Sequence, residues 1–157
     1  MIRLQREDFD AAAEISALVG GRSDVGAVVT FTGICRDSEE SRPIAALTLE
    51  HYPDMAEAEI ARHVDEAGRR WELLGVTVIH RYGRLRPGDN IVLVVTAATH
   101  RHAAFAAAEF LMDYLKTRAP FWKQEEFAGE MRWVEAKAAD DTAAQRWASA
   151  PARSQAE

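Results

Sequence analysis

Lys116 and Lys123 flank a proline in the stretch DYLKTRAPFWKQEE. On a helix, Lys116 lies four residues after Met112 and eleven after Phe105, so it prolongs an apolar stripe and its ammonium is expected to be half buried. Lys123 shares strand parity with Phe121, which starts it on the same face as that ring. Two ammoniums held close together lower each other's proton affinity, and a lysine brought toward neutrality serves as a base or a nucleophile. The competing account is plain: a lysine in a last helical turn favours the helix dipole and snorkels to water.

Other groups suit an anion. His100 and Arg101 stand between an apolar run and the start of a long helical pattern, where free backbone N–H groups attract phosphate or carboxylate. Arg36 follows Gly33-Ile34-Cys35 at the end of a strand-like run, a place from which a guanidinium can clamp an oxyanion with two parallel hydrogen bonds. Each is also an ordinary residue for a solvated loop. His100 and His102 form an HxH, but no HExxH or carboxylate cluster accompanies them, so no metal is expected. Cys35 has no recognisable base beside it, which leaves a buried or incidental thiol as the simpler account. Neither GxxxxGK[ST] nor GxGxxG occurs, and no cofactor is expected.

The elements that must position these residues are legible from periodicity. Asp8 is placed to cap a short helix running to about Leu18. VGAVVTFTG is a nearly continuous apolar run, read as a central strand covered on both faces. After the polar stretch 35–43, expected to be mobile, IAALTLEHY reads as a strand with Leu47, Leu49 and His51 on one face. Pro53 opens an amphipathic helix carrying Met55, Ile60, Val64 and Ala67. GVTVIHRYGRL and NIVLVVTAAT, joined through Arg86-Pro87-Gly88-Asp89, read as an antiparallel pair. Phe105, Ala108, Leu111, Met112 and Leu115 stripe the next helix, which Pro120 ends. FWKQEEF and MRWVEAK are short strands around Gly129, and apolar density falls after Trp147. Strands and helices alternate without a regular βαβ period, so the fold class is α+β, with a mixed or antiparallel sheet and packed helices. A single domain is expected over 1–137, followed by a frayed or partly helical tail over 138–157.

At 157 residues and 48% apolar composition, the chain can bury a core without staples. One cysteine precludes an intramolecular disulfide, and MIRLQREDFD lacks the apolar stretch of an export signal, so the cytoplasm is the expected compartment. A net charge of −6 disfavours a nucleic-acid footprint, and no stretch approaches the ~20 apolar residues of a membrane span.

Taken in order, AVVTFTG (27–33), LTLEHYPDM (47–55), VTVIHRYGRLRPGD (76–89), HR (100–101), MDYLKTRAPFWK (112–123) and RWVEA (132–136) resemble the signature segments of the large, catalytic subunit of molybdopterin synthase. The resemblance implies an α/β hammerhead-type fold and a homodimer within a heterotetramer. A small ubiquitin-like sulfur carrier ending in Gly-Gly, activated as a thiocarboxylate, would dock on each copy. Sulfur would pass from it to cyclic pyranopterin monophosphate, building the dithiolene of molybdopterin. This chain ends in SQAE, so the carrier is expected to be a separate protein. By the same resemblance Lys116 and Lys123 match the active-site lysines. Arg36, His100, Arg101 and Lys137 match the anion-binding group, and Phe31 and Met112 line the same region. Three positions depart from the usual pattern: Cys35 before the arginine, His102 in place of serine, and Lys137 in place of arginine, which trades a bidentate fork for a point charge. The alternative is a carrier- or anion-binding module of this fold that has lost its chemistry.

Overall fold

The computed structural model describes residues 1–134 and 138–148, so Lys137 lies outside the described residues. Among the described residues two four-stranded sheets, a two-stranded ribbon and four α-helices occur, confirming the α+β class. The first sheet contains β1 (Ile2–Gln5), β2 (Ala27–Ile34), β6 (Leu73–Arg81) and β8 (Asn90–Ala98) in the order β1-β6-β8-β2. It is mixed, because β1 runs parallel to β6 while β6, β8 and β2 pair antiparallel. The second, antiparallel sheet joins β5 (Ala46–His51), β7 (Gly83–Leu85), β9 (Phe121–Phe127) and β10 (Glu130–Val134) in the order β10-β9-β5-β7. A small ribbon of β3 (Ser38–Glu39) and β4 (Arg42–Pro43) occupies the polar stretch that follows β2, turning on Glu40 and Ser41 at positive φ.

Strand parity in the first sheet divides its two faces. Val78, Val92 and Val94 face α2 (Pro53–Arg70) and α3 (Arg101–Thr117), with Ile60, Phe110, Leu111 and Leu115 packed against them. Ile79, Leu93 and Val95 face the opposite way, onto Phe9, Ile15 and Leu18 of the α1 region (Ala11–Val19). The second sheet has its own core in Leu47, Leu49 and Leu85 with Cys35. Continuous apolar strands are what a sheet covered on both faces requires.

Four details differ from the sequence expectation. The cap of α1 is Asp10, whose Oδ1 accepts from the N–H groups of Ala12 and Ala13, while Asp8 accepts from Asn90 instead. β2 is an edge strand, with Val28, Phe31 and Ile34 exposed, because β6 and β8 take the two inner positions and β1 the other edge. On α2, Met55 is exposed, and Ala56 and His63 are buried beside Ile60 and Ala67. On α3, Phe105 is exposed as well, the buried stripe running through Ala104, Ala107, Ala108, Leu111 and Leu115. The last described segment, α4 (Ala138–Gln145) and a 3-10 turn, docks through Trp147 edge-on to Trp71 and Phe110. No helix among the described residues is long and apolar enough to cross a membrane.

Candidate functional site

A cavity of about 670 Å³ opens where the end of β2, the C-terminal turn of α3 and the inner face of the second sheet meet. Its apolar wall includes Phe31, Ile34, Leu47, Leu49, Ile91 and Met112, and its polar wall includes Arg36, His80, Lys116, Lys123, Glu125 and Asp140. The backbone makes room for it at Gly33, where β2 shifts register against β8. A Cβ there would lie 2.6 Å from Cγ1 of Val92, so only glycine lets β2 pass so close to that side chain.

Lys116 reaches this cavity from the last turn of α3, but it is exposed, not half buried. The reason is rotational: it stands one residue past buried Leu115 and above Met112, which is itself only partly covered, so it marks the edge of the stripe. Beyond Thr117 the helix closes with the N–H groups of Arg118 and Ala119 both bonded to the carbonyl of Tyr114, and Pro120 leads into β9. Along β9, Phe121, Lys123, Glu125 and Phe127 alternate inward as parity requires. The near neighbour of Lys123 is a carboxylate: its Nζ lies 3.3 Å from Oε1 of Glu125, a residue 3% exposed. Burying that carboxylate is tolerable because an ammonium partners it.

Arg36 stands at the mouth, exposed and ion-paired to Glu39 on the ribbon. Cys35 beside it is 4% exposed, and burial pushes its thiol pKa up despite the opposing field of Lys123. A protonated, buried thiol is a poor nucleophile. His80 is also buried, stacked on Phe121 with ring centroids 4.0 Å apart, and burial lowers its pKa to about 4. His80 and Glu125 escaped the sequence reading. Their signal was parity alone: Glu125 is two residues past Lys123, and His80 two past core Val78.

The structure thus brings Lys116, Lys123, Arg36, Phe31 and Met112 to one cavity. It does not bring His100 or Arg101 there. Both are exposed at the opposite end of α3, His100 as its extended N-cap, and the fifteen residues from Arg101 to Lys116 span about 22 Å of helix. His102 is exposed on the same turn. Among the described residues no three His, Cys, Asp or Glu side chains converge as metal ligands would.

A cavity rich in fixed donors, with an apolar floor and no activated nucleophile, suits a reaction whose nucleophile arrives with a substrate. Comparisons with known proteins identify the family. The family model described as "MoaE protein" matches residues 4–118. The molybdopterin synthase catalytic subunit of Mesorhizobium japonicum is 63% identical over 94% of this chain and 93% of its own. The structure of a molybdopterin biosynthesis MoaE protein from Burkholderia ambifaria superposes with TM-score 0.79 at 49% identity, covering 94% of this chain and 97% of that one. A crystal structure of molybdopterin synthase from Staphylococcus aureus gives TM-score 0.78 at 28% identity over 84% of this chain and 95% of its own. A chain matched over nearly its whole length in both sequence and fold, with the lysine-bearing turn open to a cavity, belongs to the MoaE family: it is the catalytic subunit type of molybdopterin synthase, an enzyme of molybdenum cofactor biosynthesis.

Proposed function

We propose that this chain receives the C-terminal Gly-Gly thiocarboxylate of a small ubiquitin-like carrier in its cavity and passes the sulfur to cyclic pyranopterin monophosphate in the cytoplasm. Two such transfers make the dithiolene. The observation that carries this reading is the convergence of Lys116, Lys123 and Arg36 on one apolar-floored cavity whose own thiol is buried. The enzyme's contribution is then positional and electrostatic. Lys123, fixed by Glu125, places positive charge inside the wall where the carrier's carbonyl oxygen gains charge as water attacks the thioester formed with the pterin, leaving sulfur on the pterin and a carboxylate on the carrier. Lys116, exposed at the rim, moves protons to the departing oxygen or from the pterin side chain. Arg36 holds the substrate phosphate at the mouth.

His100 and Arg101 complete the anion site from a second copy of the chain. Their separation from Lys116 along a rigid helix supports this, since one chain cannot bend both ends of α3 onto one cavity. The exposed apolar residues of edge strand β2, together with exposed Phe105 on α3, supply a surface for that pairing. Mixing the protein with thiocarboxylated carrier and cyclic pyranopterin monophosphate tests the reading. Dithiolene product is expected; a competent carrier that binds but yields none would reduce the chain to a binding module.

A further inference from the structure

On the cavity wall Arg36, Lys116 and Lys123 are hydrogen-bond donors, and of the two carboxylates, Glu125 and Asp140, Glu125 is already engaged by Lys123. A peptide tail entering this space brings backbone N–H groups that need acceptors, because an amide proton stripped of water and left unpaired weakens binding. His80 is placed to serve. Its Nδ1 lies 2.8 Å from the carbonyl oxygen of Arg81, which can only accept, so the ring proton sits on Nδ1. Buried and neutral, the imidazole then presents a lone pair at Nε2. Among the described residues Nε2 has no protein partner, yet the fully buried, unpartnered side-chain atoms are Arg3 Nε and the Tyr114 hydroxyl, not this nitrogen. His80 forms part of the cavity wall, so Nε2 opens on the cavity. The ring is held there by stacking: Phe121 lies against it, and His51 in turn stacks on Phe121 with centroids 5.7 Å apart.

We infer that His80 is a positioning residue whose Nε2 accepts a hydrogen bond from the backbone N–H of the terminal glycine of the inserted tail, aligning the last carbonyl between Lys116 and Lys123. The inference rests on the proposed function. Its chemistry is selective, since a fixed acceptor favours a secondary amide over an ester or a proline-like imide at that position.

The test pairs a protein change with a backbone change. Carrier is prepared by semisynthesis with a carboxylate terminus and either the natural amide or an ester at the last Gly-Gly linkage, and its binding is measured by calorimetry. The wild type should bind the ester form roughly tenfold more weakly, the loss of one desolvated hydrogen bond. His80→Phe, which keeps a ring against Phe121 but no acceptor, should bind the amide form roughly tenfold more weakly than the wild type and be indifferent to the ester. His80→Gln, with an acceptor near the Nε2 position, should recover part of both the affinity and the ester sensitivity. An equal ester penalty in wild type and His80→Phe, or no penalty in the wild type, overturns the role. Product formation by the wild type with thiocarboxylated natural carrier is scored separately, so loss of the His80 contact and loss of the synthase reading are told apart. The wild-type ester comparison needs no variant to fold.

Discussion

Burial among Phe121 and the strand core lowers the pKa of His80 from its ordinary 6.5 to about 4, so the folded protein resists a proton that the unfolded chain accepts. The sign follows from linkage: stability is complete above pH 6.5 and falls as pH drops toward 4, with a slope approaching about 1.4 kcal/mol per pH unit from this residue. Urea melts of the wild type and His80→Phe across that window should show a shallower decline in the variant. At the rim, Lys116→Ala should cut product formation by at least roughly a hundredfold, the scale of a lost proton-transfer group, while carrier affinity changes little; near-normal turnover would remove Lys116 from the mechanism. Lys123→Met leaves the Glu125 carboxylate buried without its partner and should cost about 1–3 kcal/mol in chemical denaturation, less than a fully buried pair because Lys123 is partly solvated. Parity made Lys123 legible in the sequence, since every second residue of β9 points inward. Lys116 was misjudged as half buried because a stripe read from spacing has no edges until neighbouring elements define them.

At the scale of elements, β2 carries the cavity, and its glycine is the narrow point. Gly33→Ala would place a methyl 2.6 Å from the Val92 side chain, so either that side chain or the edge strand must move. A loss of about 1–3 kcal/mol in thermal or chemical unfolding is expected, as for an overpacked core, with weakened carrier binding. The first three helices, the β6 and β8 pairing and the β9 and β10 hairpin were all readable from periodicity and turn residues, whereas α4 lay in a stretch expected to be frayed or only partly helical. The position of β2 at the sheet edge was not. A continuous apolar run looks the same whether a strand has neighbours on both sides or offers its outer side to another chain. The cap of α1 was displaced from Asp8 to Asp10 for a similar reason: both aspartates satisfy the sequence rule, and Asn90, distant in sequence, engages Asp8.

At the scale of the whole molecule, α3 holds Lys116 at one end and His100 and Arg101 at the other, about 22 Å apart. Composition and motif could not show this separation, because sequence order lists functional residues without saying which copy of the chain supplies them. If each site draws on two copies, Lys116→Ala and Arg101→Ala homodimers should both be nearly inactive, whereas dissociating and remixing them should restore about a quarter of wild-type activity. Half of a random mixture is heterodimer, and each heterodimer has one site with both residues intact. No recovery, with exchange of chains verified by mass spectrometry, would place the whole site within one chain. The length of this one helix also sets a dependence on dosage. A catalyst whose halves are lent reciprocally has a specific activity that declines on dilution, as subunits part, and returns with second-order kinetics when the protein is concentrated again.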